Sequence, residues 1–233
     1  MKIQTRTYLL YEWSRDDFQC ENAEESDTVV CINIVNYAYP FAVSSDQKLA
    51  GLINQVVKTT FEHSEPSMKY RSIKTSCPEE KPALENMNYE VRKNHAGILS
   101  FVLFKDWEPA GLGNGFRHDA LPFTFDLKAK KRLKIADLIA EQNESLIRTI
   151  VLKQIRASNP ELMEPGGEIN NPWLFENFNC LNDDFAVKGK AIVLYYSVSY
   201  GGKVSYLEVS LDSSSGLELF KDQNLLERLT KTN

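Results

Sequence analysis

The fold is decided by GILSFVLFKDWEPAGLGNGFRHDALPFTFDLKAKKRLKIADLI, residues 97–139. The apolar run at its start and the alternating phenylalanines of LPFTFDL, residues 121–127, each predict a β-strand. Three glycines lie in the loop between these strands, and the basic run KAKKR, residues 128–132, is typical of a solvated turn. An amphipathic pattern begins after that turn. The stretch therefore predicts two strands followed by a helix that packs on them.

Further strands and a helix are predicted before this stretch. A turn near residues 94–97 indicates a hairpin, and TVVCINIVNYAYP, residues 28–40, predicts an earlier strand that stops at Pro40. A helix follows, with capping-box spacing at Ser44 and Gln47. Its apolar stripe comprises Leu49, Leu52, Ile53, Val56, Val57 and Phe61.

After the deciding stretch the pattern returns to helix and then strands. A second amphipathic helix is predicted from Ile135 to Ile155, and alternating segments between residues 177 and 211 predict the late strands. This order indicates an α+β fold of mostly antiparallel sheets, each packed against an amphipathic helix. We expect two closely packed units, an N-terminal strand-helix-strand unit at residues 1–90 and a C-terminal α+β unit at residues 91–233.

The charge of the chain excludes some classes of partner. Its 233 residues include 27 Lys and Arg against 32 Asp and Glu, a net charge of -5. Such a chain has no field that collects nucleic-acid phosphates, so no nucleic acid is expected as a partner. It weakly favours cationic partners. No apolar run reaches the length of about 18 residues that predicts a transmembrane segment.

The sequence has no evident reaction centre. The cysteines, which are Cys20, Cys31, Cys77 and Cys180, form no C-x-x-C pair. They permit three disulfide pairings, and free thiols stay open as the alternative. The histidines His63, His95 and His118 lie in separate segments, so neither a metal site nor another cofactor is predicted. A G-x-S-x-G nucleophile motif is also missing from the sequence.

The glycine loop leaves two interpretations open. Gly111, Gly113 and Gly115 do not form a dinucleotide-binding fingerprint, because a strand and not a helix follows them. The loop is either a turn whose glycines adopt positive φ or a binding loop for a partner. Aromatic and Arg side chains are the usual anchors of an interface. The candidate binding residues are Trp107, Gly111, Gly113, Asn114, Gly115, Arg117, His118, Trp173, Tyr196 and Tyr200.

The order of elements over residues 28–212 resembles a bacterial domain family, from the CINIVNYAYP strand and its capped helix to the late strands. This is the extracytoplasmic domain of the RsiV anti-sigma factor, shared by the N-terminal region of the PdaC peptidoglycan deacetylase and by secreted or lipid-anchored proteins of Bacteroides type. The family's Gly-Gly-Ala-His-Gly loop corresponds to Gly111–Gly115, with Asn114 at the histidine position. Its Asn-Phe-Asp-Leu strand corresponds to Thr124–Leu127, and its Thr-Gly-Lys turn to Ala129–Lys131.

The resemblance implies a non-catalytic binding or sensing domain of the cell envelope. In the RsiV branch the domain binds lysozyme, a strongly cationic protein, and in the deacetylase branch it accompanies a separate catalytic domain. The implied partner is therefore lysozyme or a peptidoglycan fragment, and the implied location is periplasmic, secreted or lipid-anchored, with an export signal ahead of Met1. The alternative is a cell-wall glycan hydrolase or deacetylase that uses carboxylates in a cleft.

Overall fold

The computed structural model of the chain describes residues 1–16, 29–60, 82–109, 117–158, 185–200, 203–212 and 219–232. The described strands are β1 (Lys2–Asp16), β2 (Val29–Val43), β3 (Pro82–His95), β4 (Ile98–Pro109), β5 (Arg117–Asp126), β6 (Lys131–Arg132), β7 (Phe185–Lys188), β8 (Ala191–Tyr200) and β9 (Lys203–Asp212). The described helices are α1 (Gln47–Lys58), α2 (Ile135–Leu138), α3 (Glu144–Ser158) and α4 (Gln223–Thr230).

The strands follow the hydrogen-bonding order β1-β2-β3-β4-β5-β9-β8-β7, and β6 pairs with β5. The pairs β1–β2, β5–β6, β7–β8 and β8–β9 are antiparallel. The β2–β3 pair is parallel, over Ile34–Tyr37 and Leu84–Met87. The predicted α+β class with mostly antiparallel strands is confirmed. No helix in the described parts of the chain is both long and apolar enough to cross a bilayer.

Contacts group the chain into two compact units. The C-terminal unit comprises Met1, Tyr89–Phe104 and Asp119–Asn233, and the N-terminal unit comprises Lys2–Asn88 and Lys105–His118. The N-terminal unit thus includes the outer end of β4 and the first two residues of β5. The boundary between residues 90 and 91 stays a prediction.

The sequence pattern did not reveal β1, which pairs with β2 along its whole length, from Lys2 opposite Val43 to Asp16 opposite Val29. Between residues 2 and 7 every side chain is exposed except that of Ile3, which is half-buried. Residues 2–7 thus bury little surface, and such a segment has no need of strict alternation between apolar and polar residues. Backbone pairing with β2 therefore defines this strand.

The strand β2 continues past Pro40 to Val43, although Pro40 was expected to end it. Pairing with β3 covers only Ile34–Tyr37, and beyond that point α1 supplies the hydrogen bonds. The Ala42 amide donates to Asn54 Oδ1 at 2.7 Å, and Asn54 Nδ2 donates to the Ala42 carbonyl at 3.1 Å. Residues two apart face the same edge of a strand, so the N–H that Pro40 lacks is not needed for pairing with β1.

The start of α1 corrects the predicted capping box. Asp46 is the N-cap residue, and its carboxylate accepts the Leu49 amide at 3.1 Å. Ser44 lies outside the cap, where its hydroxyl accepts the Asp46 amide. The predicted apolar stripe holds for Leu49, Ile53 and Val57, which are buried, whereas Leu52 is 38% exposed and Phe61 lies outside the described residues.

The core of the C-terminal unit lies between one face of β7–β9 and the helices. Ile192, Leu194 and Tyr196 of β8 alternate toward this core, and in β9 they are paired with Leu211, Val209 and Leu207. The helices contribute Ile147, Val151 and Ile155 from α3 and Leu225, Leu226 and Leu229 from α4. Core side chains thus recur at every second residue of the strands and at every third or fourth residue of the helices. These two spacings are the patterns that predicted the elements.

The helix expected from Ile135 to Ile155 is interrupted. It consists of α2, a single 3₁₀ turn at Glu141–Asn143 and α3. Ile139 is extended, with φ -111° and ψ 134°, and forms an antiparallel bridge with Phe220. Both of these side chains belong to the core, so burial and the bridge outweigh continued helix formation at this position.

Side-chain hydroxyls form hydrogen bonds with backbone groups at the outer edge of β7, the last strand in the order of the sheet. The Val187 amide donates to Ser100 Oγ at 2.9 Å, and Thr124 Oγ1 donates to the Phe185 carbonyl at 3.0 Å. The two hydroxyls lie 2.9 Å apart and are buried. Because the Thr124 proton is already donated, Ser100 donates to Thr124. This edge is thus paired without a further strand.

Left-handed backbone occurs in three of the described turns, one of them at Gly189 between β7 and β8, with φ 61°. Ala96 and Gly97 have φ 54° and 74°, as expected for a two-residue hairpin turn between β3 and β4. Lys130, with φ 55°, lies in the turn between β5 and β6. At Lys130 the left-handed conformation is present without glycine, the residue that adopts it most easily.

We expect Lys130→Gly to be more stable than Lys130→Ala by about 0.5–1 kcal/mol, because relief of the left-handed strain exceeds the added entropy of the unfolded glycine chain. Ala129→Gly, in the same turn without positive φ, should lose about 0.4–1 kcal/mol. Urea unfolding of the wild type and the three variants measures these differences. The strain at Lys130 would be contradicted if Lys130→Gly were less stable than Lys130→Ala by as much as Ala129→Gly is less stable than the wild type.

Candidate functional site

The candidate site begins with a histidine–aspartate pair in the N-terminal unit. His118, the second residue of β5, donates from Nδ1 to Oδ1 of Asp106 near the outer end of β4. Their side chains are 32% and 31% exposed. Since β4 ends at Pro109 and β5 begins at Arg117, the pair lies at the base of the predicted glycine loop.

The carboxylate of Asp106 determines what the imidazole can do. An ionised carboxylate only accepts, so this contact holds the Nδ1 proton of His118 toward Asp106. This arrangement orients an imidazole in binding sites and in general-base catalysis alike. Sequence reasoning found His118 but missed Asp106, because only strand pairing brings these residues together across 12 positions.

The structure describes only some of the predicted binding residues. Gly111, Gly113, Asn114, Gly115 and Trp173 lie outside the described residues. Trp107 and Tyr200 belong to β4 and β8, where only the backbone is described. Arg117 is exposed at the start of β5. The predicted binding role of Tyr196 is wrong. Its side chain points from β8 into the core and is 5% exposed, so it offers no interface surface.

Other late tyrosines also pack inside the C-terminal unit. Tyr195 is buried on the opposite face of β8, with its ring 5.9 Å from that of half-buried Tyr206. Phe104 packs on Tyr206 at the same centroid distance, 5.9 Å. Burial raises the pKa of Tyr195, and the nearby charge of Glu208 adds to this increase. These rings form a second buried cluster of the sheet.

Metal ligands are not gathered in the described residues. No group of three His, Cys, Asp or Glu side chains there could hold an ion. His63, Cys20, Cys77 and Cys180 lie outside these residues, and of Cys31 only the backbone in β2 is described. The three disulfide pairings therefore stay as the sequence leaves them.

A second constellation, in the C-terminal unit, centres on Arg228 of α4. Its Nη2 donates to Asp126 Oδ1 at 2.6 Å, and its Nη1 donates to Oδ2 at 2.9 Å. Nε donates to the Ala96 carbonyl at 3.2 Å, and Nη2 also donates to the Gly97 carbonyl at 3.1 Å. One guanidinium thus joins the last helix to the end of β5 and to the β3–β4 turn. We call these four residues the Arg228 network.

Backbone amides complete the coordination of Asp126. Oδ1 accepts the amides of Lys128 at 2.8 Å and Ala129 at 3.0 Å. Burial by itself would raise the pKa of Asp126, but the Arg228 guanidinium and these two amides outweigh it, and the pKa of Asp126 is lowered. Thr124–Leu127 is one of the motifs that carry the resemblance seen in the sequence. The resemblance gave no sign of Arg228, which is 102 positions away.

No protein-family model matches the chain, and no curated protein is similar to it in sequence. A DUF3298-family protein from Bacteroides fragilis superposes with a TM-score of 0.59 at 14% identity, over 99% of this chain and 98% of that chain. The chain has the fold of DUF3298 proteins. A second DUF3298 protein, from Pseudomonas aeruginosa, has a TM-score of 0.53 at 12% identity, over 100% of this chain and 99% of that chain.

At these identities the likeness is one of fold. It supports a DUF3298-type domain, and thereby the part of the resemblance that concerned proteins of Bacteroides type.

We expect Asp126→Asn to lower the free energy of unfolding at pH 7 by about 3 kcal/mol, because it leaves the partly buried Arg228 charge without its partner. The folded pKa of Asp126 is lowered, so its stabilisation is present above about pH 4 and is lost as the pH falls through the folded pKa. The difference between wild type and Asp126→Asn should therefore shrink in acid.

The matched control is Lys131→Ala, which removes an exposed ion pair with Asp137 in the same unit and should cost at most about 1 kcal/mol. Urea unfolding from pH 7 to pH 3 measures both variants. A loss in Asp126→Asn no larger than that in Lys131→Ala, or one independent of pH, would contradict the role assigned to Asp126.

Proposed function

We propose that the protein is an exported cell-envelope domain that binds or senses a protein or peptidoglycan-related ligand and has no catalytic centre of its own. The observation that carries this proposal is the His118–Asp106 pair at the base of residues 110–116, with exposed Arg117 beside it. The DUF3298 fold supports it together with the resemblance of residues 28–212 to the RsiV and PdaC domains.

The placement of these side chains suits recognition. Loops that bind partners are commonly carried on rigid strands, and β4 and β5 end on either side of residues 110–116. Because Asp106 already holds the His118 ring, little side-chain entropy is lost when a partner binds there. An exposed arginine such as Arg117 is a frequent interface anchor.

Lysozyme is the specific protein ligand of this proposal. The net charge of -5 attracts a cationic protein, but such attraction alone weakens steeply with salt. A recognition surface also has contacts that persist at physiological ionic strength. Peptidoglycan fragments are the second ligand, since the resemblance also includes a peptidoglycan-acting enzyme.

The test is calorimetric titration of the protein with lysozyme and with soluble peptidoglycan fragments, at low and at physiological salt. We expect saturable binding to one ligand that survives physiological salt. Arg117→Ala should weaken this binding by about 1–2 kcal/mol without lowering the free energy of unfolding. Lys153→Ala, which removes an exposed cation of α3, is the matched control and should bind like the wild type.

Two results would overturn the proposal. One is the absence of salt-resistant binding to either ligand. The other is release of reducing ends or acetate from peptidoglycan by the wild type and not by Asp106→Asn. The second result would favour the glycan hydrolase or deacetylase, for which the same His118–Asp106 pair would be the general base.

A further inference from the structure

A pocket of about 390 Å³ opens beside the Arg228 network in the C-terminal unit. Its walls are the Ala96–Gly97 turn, Lys128, and one side of the last helix, with Asn224, Glu227, Arg228 and Lys231. These four residues have the spacing i, i+3, i+4 and i+7, so they face the same direction from the helix. We call this space the α4 pocket.

The charges around the α4 pocket are mostly positive. The charge of Arg228 is neutralised by Asp126, which leaves the ammonium groups of Lys128 and Lys231 against the carboxylate of Glu227. Neither lysine forms an ion pair with any residue that the structure describes. A positive pocket is notable in a chain whose net charge is -5.

A buried lysine contacts the backbone of the pocket residue Lys231. Lys93 of β3 is 5% exposed and donates from Nζ to the Lys231 carbonyl. Burial lowers the pKa of Lys93. The pKa of His95 is lowered by desolvation first and then by the charges of Lys93 and Lys231.

Gly97 explains how Lys128 is placed. A Cβ atom on Gly97 would lie 3.0 Å from Lys128 Cγ and 3.1 Å from Arg228 Nη2. The aliphatic part of Lys128 therefore packs directly over the glycine, beside the guanidinium. This packing holds the stem of Lys128 at the wall of the pocket.

We propose that the α4 pocket binds a single small oxyanion, a carboxylate or a phosphate group, through the ammonium groups of Lys128 and Lys231 and the side-chain amide of Asn224. Lysine ammonium groups bind both kinds of oxyanion as compact charges. Glu227 lines the same pocket, so a polyanion would meet repulsion there and a ligand with one anionic group fits better. This site is independent of the one at His118 and Asp106.

The experiment is a titration of the isotope-labelled full chain with sodium phosphate and, separately, with sodium acetate, followed by amide chemical shifts at constant ionic strength. We expect saturable shifts at Gly97 and Asn224 with at least one of the two anions. Saturation by phosphate alone would identify a phosphate group as the ligand chemistry, and saturation by acetate alone would identify a carboxylate.

Three variants test the assigned residues. Lys128→Ala combined with Lys231→Ala should weaken anion binding at least about tenfold, because two charge-assisted hydrogen bonds are lost. Glu227→Gln should tighten it, since it removes the opposing charge. Lys190→Ala, at the exposed turn between β7 and β8, should bind like the wild type.

The proposal fails if neither anion gives saturable shifts at the pocket, or if the double lysine variant binds as tightly as the wild type. It also fails if Glu227→Gln weakens binding. Because both lysines are exposed and outside the core, the double variant is expected to fold, and Glu227→Gln provides a second measurement with the opposite sign.

Discussion

The bidentate contact between Arg228 and Asp126 is the interaction on which the C-terminal unit depends. The two side chains are 18% and 7% exposed, so both charges are largely removed from water. Such burial is tolerated only when hydrogen bonds satisfy the ions, and here two backbone carbonyls and two backbone amides complete the set. The position of α4, the β3–β4 turn and the turn after β5 are thereby fixed by one another.

Other features of the unit follow from this fixed end. Leu225, Leu226 and Leu229 of α4 enter the core, and the opposite side of the helix forms the α4 pocket. The Leu127 amide donates to the Gly97 carbonyl at 2.8 Å, so the two turns are also joined directly. An ion pair that is part of the scaffold thus borders the space where we propose that an anion binds.

The sequence predicted the elements whose side chains alternate between core and solvent. The hairpin at residues 94–97, the strand at residues 121–126 and the late strands were found because burial imposes a period on them. The strand β1 was missed, and the described side chains at its start, residues 2–7, are nearly all exposed and carry no such period. The break at Ile139 was also missed, since it depends on a bridge to Phe220, 81 positions further along the chain.

In the candidate site, too, the sequence predicted what a local pattern shows and missed what depends on distant contacts. His118 and Arg117 were found from their neighbourhood in the glycine loop, whereas Asp106 became a partner only through the pairing of β4 and β5. Tyr196 shows the reverse error, because a tyrosine on a strand has the same sequence pattern whether it faces the core or a partner. Contacts between distant segments decided each of these cases, and no local pattern records them.

The most direct test of the central claim is amide hydrogen exchange in the wild type and in Arg228→Gln, which keeps a polar side chain but removes the charge. We expect slow exchange at Leu127, Lys128 and Ala129 in the wild type. In the variant, exchange at these three amides should accelerate more than at Val187, whose amide donates to Ser100. Unchanged exchange at the three amides would contradict the claim that Arg228 holds this end of the unit together.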